Sequence, residues 1–503
     1  MNLITDPWIP VQCANGEKRV IAPWQMAEAD VLFPDWFRAD LNIACLELLI
    51  GLIYMADPPE DTRAWHERKK PDPERLKARL APFAPAFFLL GDGPRFLQDQ
   101  EKLEGAPNPV DMLFIDSAGG QTKRNNIDVM VHRDRYESLP LPEAAMALYT
   151  LQDFAPSGGA GNRTSMRGGG PLVTIVDPGK ALWDLIWMNV PFGSPSEMKD
   201  LPWMKPTRTS EKGQIVQPPD PVKGFGVEAF FGMPRRLRLV GDGEKVTGVI
   251  QKPYGANYAQ WRHPLSPYYR LKPGSELLPR HPRAGRFGYR NWLGVVAVKP
   301  DRHQKEQGLA ELALTLREWR RGKRGERDPE QEPSVIVAGW AMNNMSPRDF
   351  ICSRQPIQCL SDDEMEQLTV LIEAAHVVAD MLNRALIPLL SVGEAREAQR
   401  EEFYVKTESE FYSCFRKIIC PHEDDEDVLS IIWLKALRRQ VWAQFDPLAL
   451  SGLADRTMQE MKKITEARRV LGLELRGYGK AGALLFETLD LPLPKKKKER
   501  KAT

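Results

Sequence analysis

The stretch Ala155-Pro156-Ser157-Gly158-Gly159-Ala160-Gly161-Asn162-Arg163-Thr164-Ser165-Met166-Arg167-Gly168-Gly169-Gly170-Pro171 runs directly into the strand-like Leu172-Val173-Thr174-Ile175-Val176. Six of these seventeen residues are glycine. Glycine is used where a backbone takes positive φ or where another molecule must approach closely. Two glycine clusters separated by Arg163 and Arg167 suggest a loop that lets a polyanion touch the main chain. A mononucleotide cradle would need Gly-x-x-x-x-Gly-Lys-Ser/Thr. No lysine follows a glycine here in that register, and the dinucleotide fingerprint is absent as well. A flexible connector is the alternative reading of glycine runs.

Outward from the loop, Pro142 to Leu151 predicts a helix leading into it. Upstream of that helix, Gly105 to Pro140 lacks periodicity, is long for a connector, and contains Gln121-Thr122-Lys123-Arg124-Asn125-Asn126, which marks a functional or mobile loop. Near the start, Asn15-Gly16 predicts a type I′ hairpin turn. The apolar positions Leu41, Ile43, Ala44, Cys45, Leu48, Leu49, Leu52 and Ile53 predict a largely buried helix within Phe33 to Met55, stopped by Pro58 and Pro59. Pro73 to Leu80 reads as a further helix. Downstream, Gly226 to Val240 reads as strand, Leu309 to Arg320 as helix, and Val335 to Trp340 as strand before the polar turn Asn343-Asn344-Met345-Ser346-Pro347. The basic run from Arg320 to Arg327 is a solvated loop or a phosphate contact.

From Ser361 the pattern changes. Ser361-Asp362-Asp363-Glu364 is a capping box, and four amphipathic helices follow. These open near Ser361, at Glu394, after the acid cluster Glu423 to Asp427, and near Ala454. Their short connections predict an antiparallel bundle. The expected fold class is α+β, with a mixed domain over 1–360, a four-helix bundle over 361–490 and a basic, disordered tail over 491–503.

The 503 residues exceed the size at which one core keeps growing. No apolar run reads as a membrane span and the N-terminus lacks a secretory pattern, so a cytoplasmic protein with no membrane partner is expected. The six cysteines are scattered and the seven histidines sit singly, so no metal and no cofactor are expected. Neither His-Glu-x-x-His nor Gly-x-Ser-x-Gly occurs, which disfavours an enzyme. With 69 basic and 68 acidic residues, nucleic-acid binding would require segregated basic groups.

Several motifs occur in an order that resembles the CasA family, the large subunits of type I-E Cascade. They are Asn2-Leu3-Ile4-Thr5-Asp6-Pro7-Trp8-Ile9-Pro10-Val11, the glycine loop with Arg167-Gly168-Gly169, and Trp203-Met204-Lys205-Pro206. Phe230-Phe231-Gly232-Met233-Pro234, Trp261-Arg262-His263-Pro264-Leu265-Ser266-Pro267 and the terminal bundle complete the series. The resemblance implies a non-catalytic subunit of an RNA-guided CRISPR complex that reads the protospacer-adjacent motif from the minor groove and helps open the duplex. Its implied partners are the backbone, handle-binding and small Cascade subunits, the CRISPR guide RNA, double-stranded target DNA and a docked helicase-nuclease. The reading elements it implies are the glycine loop (Gly158, Gly159, Ala160, Gly161), Lys252, and a wedge at Asn343, Asn344 and Met345. By the same resemblance, Lys123, Arg124 and Asn125 fall near the guide RNA's 5′ handle or neighbouring subunits, with a mobile surface loop as the alternative.

Two departures stand out. Met345 occupies a place where the family commonly has glutamine. Gly241-Asp242-Gly243-Glu244-Lys245 stands where some relatives carry a zinc-binding cysteine cluster. A purely architectural subunit and a nucleic-acid-processing enzyme remain as rival readings.

Overall fold

Sixteen of the eighteen residues of the helix Ala39–Ala56 (α1) are buried, Glu47 among them. The computed structural model describes residues 1–117, 135–159, 161–219, 225–298, 309–322, 333–420 and 429–494. Among them α1 is the one helix long and apolar enough to cross a membrane, and 89% of that window is packed inside the protein. It starts later than periodicity suggested. Phe33 lies in the strand Val31–Pro34 (β3), and the Asn42 side chain accepts from the Trp36 amide at 2.7 Å, which fixes the entry to the helix.

Against α1 packs Leu141–Phe154 (α2), also mostly buried, whose Tyr149 hydroxyl donates to the Phe230 carbonyl at 3.0 Å. Gly51 of α1 makes close approach possible, because a Cβ there would stand 2.7 Å from Phe230 Cβ. Pro73–Leu80 is helical as expected.

The strands Ile9–Cys13 (β1) and Lys18–Ile21 (β2) pair antiparallel, and β3 adds on the other side of β1. Their turn is not type I′. Only Gly16 has positive φ, and its amide donates to Cys13 O while the Cys13 amide donates to Glu17 O. That pattern is a type I turn closed by one left-handed glycine.

Val173–Asp177 (β4), which follows the glycine loop, is an edge of a three-stranded antiparallel sheet. It pairs with Ser334–Asn343 (β7), which pairs in turn with Ser346–Pro356 (β8), giving the order β8-β7-β4. Between β4 and β7 in sequence lies the hairpin of Arg236–Gly241 (β5) and Lys245–Lys252 (β6), in which Arg236 faces Lys252. The strand expected from Gly226 is shorter than its pattern. Val227–Ala229 turns as a 3-10 segment after Gly226 at φ +70°, and Pro234 offers no amide to a ladder. Likewise Ala310–Glu311 pairs with Tyr268–Tyr269, leaving Leu314–Arg320 as the helix.

The chain divides into two compact units, Met1–Arg286 with Glu306–Cys359, and Phe287–Lys305 with Leu360–Thr503. Among its described residues the second unit holds four long helices, Asp362–Ala385 (α3), Gly393–Ile419 (α4), Leu429–Leu450 (α5) and Met458–Glu474 (α6). A short fifth, Gly479–Thr488 (α7), carries no expectation from sequence. Ser361 caps α3 as a box, accepting from the Glu364 amide at 3.2 Å while Glu364 accepts from the Ser361 amide at 2.7 Å.

Into this unit Phe287–Lys305 contributes aromatic anchors. Tyr289 stacks on Phe411 at 4.2 Å between centroids and shares a 2.6 Å hydrogen bond with Thr407. Trp292, fully buried, sets its ring edgewise to Phe411 and Phe415. Truncating Trp292 to alanine removes a buried indole and should destabilise this unit by about 3–5 kcal/mol. Urea unfolding followed by circular dichroism measures it, and a loss below about 1 kcal/mol would show the anchor to be dispensable.

Candidate nucleic-acid interface

The glycine loop has a base and a tip, held by different interactions. At the base, the Ser165 amide donates to Ala155 O at 2.9 Å and the Gly170 amide to Phe154 O at 3.0 Å, stitching the loop to the end of α2. Arg167 lies here, 1% exposed. Its Nη1 is 3.0 Å from Glu47 Oε2 on α1, and its Nη2 is 2.6 Å from Asp153 Oδ2 on α2. Nη1 also donates to Ser266 Oγ at 3.0 Å, and the guanidinium sits 5.5 Å from the Phe154 ring centroid.

Burial works against the charge of Arg167, but Asp153 and Glu47 outweigh it and raise its pKa. Burial raises Glu47 well above its usual range, and Asp153 reinforces the rise against the pull of Arg167. His263, 3.7 Å from Glu47, is pushed well down by burial and then by Arg167. Four polar groups thus meet in one buried cluster, with burial favouring the neutral forms of Glu47 and His263 and the two carboxyl groups favouring the charged form of Arg167.

The tip is exposed at Ser157, Gly158 and Gly159. The Asn162 amide donates to Gly159 O at 2.8 Å, and the Gly158 amide to Asn162 O at 3.2 Å. Asn162 Oδ1 accepts from Gln251 Nε2 at 3.0 Å, and Gly161 O accepts from the Tyr254 amide at 2.8 Å. The tip therefore docks on the residues flanking Lys252, the half-buried last residue of β6.

On the other side stands the β7–β8 hairpin. Asn343 pairs with Ser346, and the two turn residues Asn344 and Met345 have φ of +47° and +62°. This is a type I′ turn made without the glycine it favours. Met345, 48% exposed, reaches the loop base, because a Cβ on Gly169 would lie 3.2 Å from Met345 Sδ and 2.9 Å from Pro156 Cα. One extra residue, the exposed Arg348, makes a bulge below the tip. Among the described residues six non-glycine positions have positive φ, and Tyr254, Asn344 and Met345 are three of them. Such strain persists only where surroundings over-determine it, and it concentrates at functional surfaces.

The family model described as CRISPR-associated protein Cse1 matches residues 2–444. The chain belongs to the Cse1 family. Its fold is similar to that of Thermobifida fusca Cse1, at 17% identity and TM-score 0.72, covering 97% of this chain and 98% of that one. It is also similar to Thermus thermophilus CasA (Cse1), at 18% identity and TM-score 0.69, with 94% and 99% covered. A chain from a structure titled CRISPR RNA-guided surveillance complex matches at 15% identity and TM-score 0.69, with 94% and 99% covered. At these identities the likeness is one of fold.

Within this Cse1-family chain, the structure sets the loop tip against Gln251 and Tyr254, either side of Lys252, and sets Met345 of the β7–β8 turn, next to Asn343 and Asn344, against the loop base at Gly169 and Pro156. Arg167 is corrected: it is buried by its ion pairs and offers no contact to a polyanion. Arg163 is half-buried and donates from Nε to Ser210 Oγ at 2.9 Å, which props the loop on the 207–213 segment. Ala160, Lys123, Arg124, Asn125, the run from Lys323 to Arg327, the acid cluster from 423 to 427 and the tail from Lys495 lie outside the described residues. Among the described residues no group of three metal-ligating side chains comes together. Sequence reasoning missed Arg235, Gln251 and Tyr254, which build the floor under the tip. The only signal for them was their place beside Phe230–Pro234 and Lys252.

Replacing Arg167 by alanine strands the Asp153 carboxylate and should cost about 3–5 kcal/mol. Glu47→Gln keeps the shape and removes a titration. The fold binds the Glu47 proton more tightly than the unfolded chain does. Its contribution is therefore complete below the ordinary value of 4.5 and lost as pH rises toward the raised one. His263 acts in the opposite sense below 6.5 and is common to both proteins. Thermal melts from about pH 5 to 9 should show a flatter alkaline decline for Glu47→Gln than for wild type; parallel curves would contradict a buried, protonated Glu47.

Proposed function

We propose that this chain is the non-catalytic recognition subunit of an RNA-guided CRISPR surveillance complex. In this reading it contacts the motif flanking a double-stranded DNA target from the minor groove and helps to open the duplex there. The observation that carries the proposal is convergence. The glycine loop takes contacts from two other parts of the chain, from Gln251 beside Lys252 at its tip and from Met345 of the strained, exposed hairpin turn at its base, which supports reading the three as one surface.

Each part suits the task. A minor groove is only about 6 Å wide, and its degenerate pattern fits a short, tolerant motif. Gly159 projects no side chain into that space. Met345 is of the type that minor-groove proteins insert between base steps, and a type I′ turn holds it with little freedom to lose. Long-range sequence discrimination is then left to base pairing with the guide RNA. The proposed partners are guide RNA, target duplex, the backbone, handle-binding and small subunits, and a helicase-nuclease, in the cytoplasm.

A specific observation also favours the architectural reading. A Cβ on Gly158, Gly161, Gly169 or Gly170 would meet Arg235, Tyr254, Pro156 or Trp340 within 3 Å, so packing alone demands those glycines. Gly159 separates the two readings. It is exposed, has φ +65° and has nothing within 4 Å of a built Cβ.

Asparagine and aspartate both tolerate left-handed backbone. Gly159→Asn and Gly159→Asp therefore match in shape and differ in charge. In the assembled complex, binding to a fixed target with randomised flanking bases should weaken about tenfold or more for Gly159→Asp and much less for Gly159→Asn, as expected for a charge set beside phosphate. Met345→Gln should shift the preferred flank. Identical preference in wild type and all three variants would leave the architectural reading standing.

A further inference from the structure

Beneath the glycine tip lies a cation that neither the packing nor the proposed reading accounts for. Arg235 and Arg236 are adjacent, yet their surroundings are opposite. Arg236 is ion-paired to Asp99 at 2.6 Å and Glu101 at 2.8 Å. Arg235 is 7% exposed, and among the described residues no carboxylate pairs with it. Its Nη2 donates to Pro156 O, its Nε has no partner among the described residues, and burial pushes its pKa down to about 10.

The mount is rigid. Gln152 of α2, itself 2% exposed, accepts from the Arg235 amide at 3.0 Å and donates to its carbonyl at 3.0 Å. Gly255 lets the neighbouring chain close over it, since a Cβ there would stand 3.2 Å from Arg235 Cα. Above the guanidinium is the exposed Gly158, whose built Cβ would be 2.8 Å from Nη1 and 3.3 Å from Nη2. The guanidinium therefore lies directly under the exposed Gly158, beside Asn162 Cβ, which would stand 2.8 Å from the same built atom.

A buried, unpaired guanidinium is costly, and removing water from it is compensated by an anion with matching geometry. Arginine's planar fork fits phosphate oxygens.

We propose that Arg235 is a phosphate-binding residue of the glycine loop, taking a non-bridging oxygen of a phosphodiester in the target duplex as the nucleic acid settles on Gly158 and Gly159. This rests on the reading of the loop as a duplex-contacting surface. The nearness of the guanidinium to the tip favours duplex DNA over guide RNA as the source of the phosphate. Such a contact carries no base information, so it acts alike on every flanking sequence.

The test uses the complete ribonucleoprotein with wild type, Arg235→Gln and Arg235→Lys, and duplexes carrying favoured or disfavoured flanks, from about 50 to 200 mM salt. One lost phosphate contact lowers the slope of log affinity against log salt by about 0.9, so Arg235→Gln should lose about three- to fourfold less affinity than wild type over that range. It should weaken both flanks equally, while Arg235→Lys keeps most of the slope.

An unchanged slope in Arg235→Gln overturns the assignment, as does a loss of flanking preference with the slope intact. A defect confined to guide-RNA retention also overturns it, by placing the phosphate on RNA. If Arg235→Gln fails to assemble, Arg235→Lys decides: a wild-type melt and wild-type duplex binding with a guide-RNA defect overturn the contact, whereas a weakened, flank-independent duplex affinity supports it. Absence of any flanking preference in wild type would sink the proposed function, while the comparison of slopes would still report on Arg235.

Discussion

Arg167 is the constraint on which the interface depends. A guanidinium excluded from water is stabilised by carboxyl groups at close range, and the two partners of Arg167 lie on different helices. Glu47 belongs to the most apolar helix of the chain and Asp153 to the helix that launches the glycine loop. Through one side chain the base of the loop is therefore tied to α1 and α2 together. Having a fixed base, the tip can be built from glycines that would otherwise have no preferred shape. Burial pulls Glu47 toward its neutral form, which reduces the charge that this polar cluster sets within an apolar interior.

Around that base, three kinds of backbone behaviour meet. Gly161, Gly169 and Gly170 permit close packing against Tyr254, Pro156 and Trp340. Tyr254, Asn344 and Met345 accept left-handed backbone that glycine would take more easily. Among the glycines of this loop, Gly159 alone combines positive φ with open space. A surface arranged in this way holds its shape by over-determination and leaves one small gap free of side chains. That combination suits a groove reader better than a hinge, because the strained residues have little room to relax into another state.

Much of this was legible in the sequence, and the failures have physical reasons. Helices with a strong apolar period and caps were placed well: α3 opens on the Ser361–Glu364 box, and α4 spans nearly the segment that its pattern marked. The turn at Asn343–Met345 was recognisable from its composition, but its type I′ geometry was not, since Asn-Met lacks the glycine that signals it. Arg167 was misread because an arginine between glycines looks like a polyanion contact in one dimension. Its carboxylates lie far away in sequence, and a charge counts as surface until its partners are known. Arg235 was invisible for the reverse reason: a paired and an unpaired arginine in one doublet read alike. Periodicity also gave no hint that Phe287–Lys305 belongs with the terminal helices, because its anchors are irregularly spaced aromatics in a turn-rich stretch.

That segment bears on the order in which the protein is made. Tyr289 and Trp292 leave the ribosome roughly a hundred residues before Phe411 and Phe415, which is on the order of ten seconds at ordinary synthesis rates. For that interval two large aromatic rings await the helix they will pack against. That unit is thus completed only after Phe411 and Phe415 have been made, and the nascent chain must keep a sticky loop in solution until its helices arrive. Slower synthesis would lengthen that exposure, so the segment's cost falls on the growing chain as well as on the finished fold.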